Sequence, residues 1–574
     1  MTDVAITVAG QAGQGIDTAS ELLARSLMRG GYYVFAYPDV MSRIRGGHNF
    51  TSVRVSERAV YGGPAKTSLL LALDERSVTE HKADMAEGGI IVADTAVVGG
   101  GGTGVLGVPM AALAQQHTGS RTMANMVGMG ALFALIGYPI GALLELVRER
   151  FGPKGETVVR QNEACVKASY QQLTAGAAPG CPCRIPPRDK PQRRLLLSGN
   201  QAIALGALAS GVRFYAGYPM SPSTPVMEYL AANQREAGLV MEQVEDELAA
   251  INAVLGASYA GARAMTATSG GGFSLMVEGL GLAGMAEIPC VIVLAQRPGP
   301  ATGFPTRTEQ GELLFAISAS QDEFPRFVFA PGDAEQAFQT TIRAFELAYR
   351  FHVPAIVLSD QFLSDSLWTV PGLEPEHTVE SADFADAQWR SRPAYSYRSY
   401  AVTRDGVSPR LRPGFPGQLV RALGTEHDEQ GFQTEDGAVR RRMHEKRMRK
   451  RAAMAETLGQ PHTYPGHGED SVVLCFGSTR GVVQEAIDLL RAERIRVGML
   501  HLSELCPFPH ASVMARLARA RKTITVENNS TGQLGRLLAR ETRIKPDTEI
   551  LKYDGRPFTG QELAGRLADE LRRP

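Results

Sequence analysis

The residues of this chain best suited to chemistry gather in loops near its middle. In "YPMSPSTP", residues 218 to 225, three prolines fix the backbone while Ser221, Ser223 and Thr224 offer hydroxyls that could cap the next helix or reach a ligand. Capping takes only one of them. In "VEDELAAINAVLGAS" the carboxylates Glu245, Asp246 and Glu247 fall within one turn of an expected helix whose apolar positions are Met241, Val244, Leu248, Ile251 and Leu255. Glu247 has Val244, Ala250, Ile251 and Val254 as helical neighbours, so its carboxylate borders an apolar surface. Such a border raises a carboxylate's proton affinity and lets it share a proton with a ligand nitrogen. A carboxylate on the rim of a site satisfies the same spacing, and the residues alone leave both readings open.

Two more loops follow. "TATSGGGFSLM" sets Thr266, Thr268 and Ser269 ahead of three glycines and a helix. In "QRPGPATGFPTRTEQGEL" Arg297 is the first charge after a mostly apolar run, placed where a guanidinium can fork onto a carboxylate. Thr306, Arg307 and Thr308 then sit in a loop too long and glycine-rich for a simple connection. Packing alone does not ask for hydroxyls, glycines and arginines at successive strand ends.

Near the N-terminus Gly10, Gly13 and Gly15 are spaced GxxGxG rather than GxGxxG, and no acidic residue stands at the distance a nicotinamide ribose needs. What remains is a glycine turn whose backbone N–H groups suit a phosphate or carboxylate, or glycines required only for close packing. "SRIRGGHNF" places Arg43 and Arg45 beside a glycine pair and His48, which fits an anion-gripping loop or a plain surface turn.

These loops need scaffolds. "DVAITVAGQAGQGIDTASELLARSLMRGGYYVFAYP" reads as strand, glycine loop, helix ended by Gly30 and Gly31, then strand, a βαβ unit. An α/β domain is expected over 1–178 and a Gly/Pro/basic linker over 179–195. Residues 196–370 alternate helix and strand as a doubly wound parallel sheet does, with ligands at the C-terminal ends of its strands. Residues 371–470 form an extended linker or insertion carrying "RRRMHEKRMRKR", expected as an exposed basic helix. Residues 471–574 form a third, smaller α/β domain. The fold class is multidomain α/β, built on doubly wound parallel sheets.

Composition narrows the function. The 574 residues carry sixty Lys and Arg against sixty Asp and Glu, so no overall field draws nucleic acid or an acidic membrane. The cysteines Cys165, Cys181, Cys183, Cys290, Cys475 and Cys506 include no CxxC pair, so no metal site, zinc ribbon or ferredoxin-type cluster is expected in this chain. With no signal-like start and no apolar run of spanning length, a reducing cytoplasm is the expected location.

Taken together, "GNQAIALGALASGVRFYAGYPMSPSTPVMEYL", "EDELAAINAVLGASYAGARAMTATSGGGFSLMVEG" and "QRPGPATGFPTRTEQGEL" resemble the alpha subunit of the 2-oxoacid:ferredoxin oxidoreductases, particularly the 2-oxoglutarate type. "GQAGQG" with "SRIRGGHNF" resembles the family's gamma module, here fused ahead of the alpha module. "HLSELCPFP" and "VENNSTGQLGRLL" resemble its transketolase C-terminal-like domain. The resemblance covers nearly the whole chain except 371–470. It implies a gamma-like domain, a thiamine-enzyme pyrimidine-type domain and a transketolase C-terminal-like domain.

The resemblance also implies roles. Tyr218, Pro219 and Ser221 belong to the motif lining the pocket where the oxoacid meets thiamine diphosphate, Ser221 standing where relatives usually carry threonine. Glu247 matches a glutamate that contacts the cofactor's aminopyrimidine ring, with Thr268 and Ser269 nearby. Arg297 matches an arginine that holds the substrate carboxylate, with Thr306 and Arg307 as further substrate contacts; Arg307 suits a second carboxylate or a rim ion pair. Gly10, Gly13, Gly15 and Arg45 are candidate contacts for coenzyme A. The chain has no GDG followed by an asparagine motif for Mg2+ and diphosphate, and no cluster cysteines. A beta subunit is therefore expected to bring most of the thiamine diphosphate site and a [4Fe-4S] cluster, in an α2β2 assembly that reduces ferredoxin. The expected reaction converts 2-oxoglutarate and coenzyme A to succinyl-CoA and CO2, or runs in reverse. Pyruvate, branched-chain and aryl oxoacids are the substrate alternatives, and a non-catalytic scaffold subunit or a self-sufficient CoA ligase are the rival classes.

Overall fold

The protein is described here from a computed structural model covering residues 2–43, 46–99, 101–176, 181, 183–189, 191–376, 392–465 and 470–573. Its strands are, in chain order, β1 (Asp3–Ala12), β2 (Tyr33–Asp39), β3 (Gly46–Ser56), β4 (Thr67–Ala72), β5 (Met85–Asp94), β6 (Gly101–Gly102), β7 (Val105–Val108) and β8 (Leu195–Ser198). Then come β9 (Phe214–Gly217), β10 (Val240–Gln243), β11 (Ala264–Thr268), β12 (Cys290–Gln296), β13 (Phe327–Phe329), β14 (Pro354–Asp360) and β15 (Leu367–Val370). The last are β16 (His462–Tyr464), β17 (Ser471–Phe476), β18 (Gly498–Leu502), β19 (Glu504–Cys506), β20 (Lys522–Glu527) and β21 (Thr548–Leu551).

The chain divides into two compact units, one of Met1–Ser198, Asp365–Gly372 and Thr559–Gly565, the other of Gly199–Ser364, Leu373–Phe558 and Arg566–Pro574. The first holds a nine-stranded sheet ordered β6-β7-β5-β4-β1-β3-β2-β15-β8. Its first helix, Ile16–Arg29, buries Ile16, Ala19, Leu22, Leu23 and Leu27, a stripe at helical spacing, and ends where Gly30 and Gly31 donate back to Ser26 O and Met28 O. The expected βαβ unit is split: β3 lies between β1 and β2 and runs antiparallel to both. The strands β8 and β15, at the two ends of the stretch read as one domain over 196–370, pair with each other, and β15 pairs with β2 of this sheet.

The second unit holds a seven-stranded sheet, β10-β9-β11-β12-β14-β13-β19, parallel except for β19, and a five-stranded sheet, β16-β18-β17-β20-β21. The two share one apolar core in which Ile292, Leu294 and Ile356 of the larger sheet join Val472, Leu474, Phe476 and Leu500 of the smaller. Because β19 adds to the larger sheet and the core is continuous, residues 471–558 do not stand apart as a separate compact body.

Three sequence expectations change. Val240–Gln243, read as the start of a helix, is edge strand β10, and the helix begins only at Glu247. Helix Gly437–Glu456, which contains the basic run, is not simply solvated. Lys446 and Lys450 are fully buried and pair with Glu287 at 2.5 and 2.6 Å, and Arg447 is bidentate on Glu426. Cys181 and Cys183 are joined as a disulfide, a pairing across one residue that the search for CxxC did not anticipate.

Candidate active site at the strand ends of the second unit

The C-terminal ends of β9, β11 and β12 bring the decorated loops together. After β9, residues 218–223 are fixed from behind: Asn200 Nδ2 donates to Pro222 O at 2.9 Å, and Val244 N to Gly217 O. The following helix, Thr224–Ala237, receives no side-chain cap, and Ser223 is buried with its Oγ turned back to Met220 O. Ser221 is exposed, and its carbonyl accepts from Arg297 Nη1 at 2.6 Å. Tyr218 is 41% exposed beside it.

Asp246, not Glu247, caps the helix Glu247–Tyr259, accepting from Ala249 N at 2.7 Å. Glu245 is exposed, whereas Glu247 turns inward and is 3% exposed. A rim position for it is thereby overturned. Its Oε1 is buried with no hydrogen-bond partner, the condition of a carboxylate that awaits a ligand's donor. Gly272 explains how it fits: a Cβ there would be driven into both Thr268 Oγ1 and Glu247 Oε1. Thr268 Oγ1 in turn lies 3.9 Å from Met220 Sδ, which links the ends of β11 and β9. The Thr266 and Ser269 hydroxyls are also buried without partners. Gly272 was not singled out in the sequence, although the triplet GGG marked the place.

The loop after β12 carries a second buried carboxyl that sequence reasoning missed. Glu312 N donates to Gln296 Oε1 at 3.0 Å, and a Cβ at Gly270 would lie 2.5 Å from Glu312 Oε1. Its Oε2 is buried and unpartnered. Burial, with a smaller contribution from Glu309, pushes the carboxyl up to about 8 against the pull of Arg297. The N-terminus of helix Gly270–Met285 favours an anion by at most about 2 kcal/mol. The shift from 4.5 corresponds to about 5 kcal/mol, so burial prevails. Arg297 itself is lowered by burial and raised by Glu312. Thr306 and Arg307 are half-buried on the same loop, where Arg307 Nη1 donates to Thr306 O at 3.0 Å.

This loop is held from the smaller sheet. Gln310 N donates to Asn528 O, Gln310 Nε2 to Phe476 O, and Gln533 Nε2 to Gly311 O at 2.6 Å. Asn529 Oδ1 gathers the N–H groups of Thr531 and Gly532, and Glu527 accepts from Leu534 N and Gly535 N. "VENNSTGQLG" is thus the frame behind "TRTEQGEL", a positioning role that only its crowd of amides hinted at. The arrangement offers a buried carboxylate for a ring nitrogen and a hydroxyl and a guanidinium for a carboxylate, and the elements that carry these loops expose Tyr218, Leu248, Leu275 and Phe304.

In the first unit Gly10 is a residue of β1, opposite Asn49, rather than part of the loop. Gly13 and Gly15 make the turn with φ of 96° and 75°, and Gln14 Oε1 occupies Gln11 N at 2.7 Å. His48 is buried in β3, its Nε2 2.9 Å from His81 Nε2, and Arg43 is exposed. Arg45 lies outside the described residues. Among the described residues no helix is long and apolar enough to cross a membrane.

Three family models match consecutive parts of the chain. "Pyruvate ferredoxin/flavodoxin oxidoreductase" matches residues 5–172, "Pyruvate flavodoxin/ferredoxin oxidoreductase, thiamine diP-bdg" 205–447, and "Pyruvate:ferredoxin oxidoreductase core domain II" 469–563. The chain is 33% identical to 2-oxoacid:ferredoxin oxidoreductase 2, subunit alpha, of Aeropyrum pernix, over 99% of this chain and 97% of that one. It is 32% identical to the 2-oxoglutarate synthase subunit KorA of Methanocaldococcus jannaschii over 66% of this chain and 96% of that one. Among solved structures, 2-oxoglutarate:ferredoxin oxidoreductase from Magnetococcus marinus, with 2-oxoglutarate, coenzyme A and succinyl-CoA bound, is similar over 100% of both chains, with a TM-score of 0.90 and 33% identity.

Proposed function

Since the chain belongs to the alpha-subunit family of the 2-oxoacid:ferredoxin oxidoreductases, we propose that it acts on 2-oxoglutarate, with a beta subunit, to form succinyl-CoA and CO2 and reduce ferredoxin. The observation that carries this reading is Glu247, buried with a free Oε1 across Gly272 from Thr268, while Arg297 stands at Ser221.

Thiamine diphosphate, when bound, supplies the electron sink for loss of CO2 from an oxoacid. Glu247 would hold the aminopyrimidine ring and exchange a proton at Oε1, its burial keeping water from competing for that proton. Tyr218, Pro219, Thr268 and Ser269 would flank the ring. Arg297 and the Ser221 hydroxyl would orient the 1-carboxylate of the oxoacid, and Thr306 with Arg307 the distal carboxylate. Gly13 and Gly15, through N–H groups of the turn, and Arg45, as a cation, remain the proposed coenzyme A contacts, with Gly10 in the strand that leads into the turn.

The exposed Tyr218, Leu248, Leu275 and Phe304 support an interface with the beta subunit, which would bring Mg2+, the diphosphate site and a [4Fe-4S] cluster in a cytoplasmic α2β2 assembly. The end-to-end likeness to a solved relative holding 2-oxoglutarate supports that substrate over pyruvate. The test is CoA-dependent viologen reduction by the chain co-expressed with its beta subunit, comparing 2-oxoglutarate, pyruvate and 2-oxoisovalerate. Turnover with 2-oxoglutarate in preference to the others is expected. Turnover with another oxoacid replaces the substrate, and none in a loaded complex overturns the reading.

A further inference from the structure

The mechanism above uses Glu247 and Arg297 but leaves a second buried carboxyl unused. Glu312 is placed with more care than a spare side chain needs. Its backbone N is fastened to Gln296, the residue next to Arg297, at 3.0 Å, and its loop is bonded to the smaller sheet through Gln310, Gly311 and Leu314. A Cβ at Gly270 would displace its carboxyl, and Oε2 ends in a buried position with no partner. The charged groups facing it are Glu309 on its own loop and Arg297 at the end of β12. Gln296 and the first turn of helix Gly270–Met285, with the unpartnered Ser269 hydroxyl, supply the neutral polar surroundings.

We propose that Glu312 is a proton-controlled positioning residue for the oxoacid: protonated, it leaves the Arg297 guanidinium free for the substrate carboxylate, and ionised, it competes with that carboxylate for the same guanidinium. The inference rests on the assignment of Arg297 to the substrate carboxylate. Two physical facts support it. An uncharged neighbour does not neutralise a guanidinium, so Arg297 keeps its full attraction for an incoming anion. Glu312 and Arg297 act on each other through their charges, and an ionised Glu312 would both attract the guanidinium and repel the anion. Burial and Glu309 together hold the Glu312 proton to about pH 8, so the exchange falls within the range in which an enzyme can be assayed.

Binding and turnover test it separately, on the complex of this chain with its beta subunit. Calorimetric titration with 2-oxoglutarate at pH 8.5, repeated in buffers of different ionisation enthalpy, is expected to show uptake of about 0.7 proton per site. In Glu312→Gln the uptake should vanish, and in Glu309→Gln it should persist. In steady state the KM for 2-oxoglutarate should rise severalfold from pH 7.5 to 9.5 in the unmodified protein, with kcat changing less, and stay flat in Glu312→Gln. The melting temperature of each variant shows whether it is folded. Uptake that survives Glu312→Gln, or disappears in Glu309→Gln instead, overturns the role while leaving the oxoacid assignment intact. Failure of every 2-oxoacid tried to bind brings down both.

Discussion

Gln310 and Asn528 hold each other through bonds in both directions: Gln310 N donates to Asn528 O at 2.6 Å, and Asn528 N donates to Gln310 Oε1 at 3.0 Å. The pair ties the loop after β12 to the end of β20. Gln310→Ala leaves Asn528 N buried without a partner, at about 1–3 kcal/mol, and takes from Phe476 O one of its two donors, Thr479 Oγ1 remaining. A melting temperature lower by several degrees is expected, together with a raised KM for the oxoacid, because the loop that carries Thr306 and Arg307 loses its anchor. An unchanged KM in a destabilised variant would confine Gln310 to folding.

Glu247→Gln keeps the volume and removes the exchangeable proton. Turnover should fall about a hundredfold or more, the usual range for loss of a proton-transfer group, with the melting temperature little changed. Gly272→Ala should match it by another route, since the added Cβ displaces Thr268 and Glu247 together. Viologen reduction by the two variants, with thermal melts alongside, checks the pair. Normal turnover in Gly272→Ala would mean that the carboxylate's placement is slack.

The pH dependence of stability carries a signature of Glu312. Its carboxyl is raised from 4.5 to about 8 by burial, so between those values the folded state binds a proton that the unfolded state has released. Stability falls as pH rises through that window. Glu312→Gln removes this component, so its melting temperature should gain on the unmodified protein from pH 5 to pH 8.5. A constant difference across the range would count against a buried, protonated Glu312.

At Glu287 the sign reverses. Burial opposes ionisation there, but Lys446 and Lys450 together hold the carboxyl well below its ordinary 4.5. That stabilisation is present above pH 4.5 and is lost as the pH falls toward the folded value. Glu287→Gln leaves two buried lysines without their counter-ion, at about 3–5 kcal/mol. The triple change Glu287→Leu, Lys446→Met, Lys450→Met should recover much of the loss. Thermal melting of the single and triple variants decides it.

The same triad shows where a sequence stops being readable. "RRRMHEKRMRKR" has the composition of a solvated face, and what buries part of it is a glutamate 159 residues away. No local pattern carries that information. β10 was lost for a different reason: it is a four-residue strand at a sheet edge, mostly exposed, and Met241 and Val244 happen to continue the apolar spacing of the helix that begins at Glu247. The decorated strand ends were legible because they crowd hydroxyls, carboxylates, glycines and arginines into short loops. Glu247, Ser221 and Arg297 were found that way, and the structure brings their loops to one end of one sheet. Glu312 was passed over because TEQGEL reads as an ordinary polar loop, and its burial depends on Gly270 and Gln296, both from other elements.

Fastening the loop after β12 from the smaller sheet divides its labour between two faces. The hidden face, through Gln310, Gly311 and Leu314, sets the course of the chain; the open face, Phe304 to Arg307, is left to meet whatever enters. Residues on the open face can therefore be exchanged without redrawing the path of the loop. On the proposed reading, point substitutions on that face would alter which oxoacid is accepted, while the trellis behind the loop stays as it is.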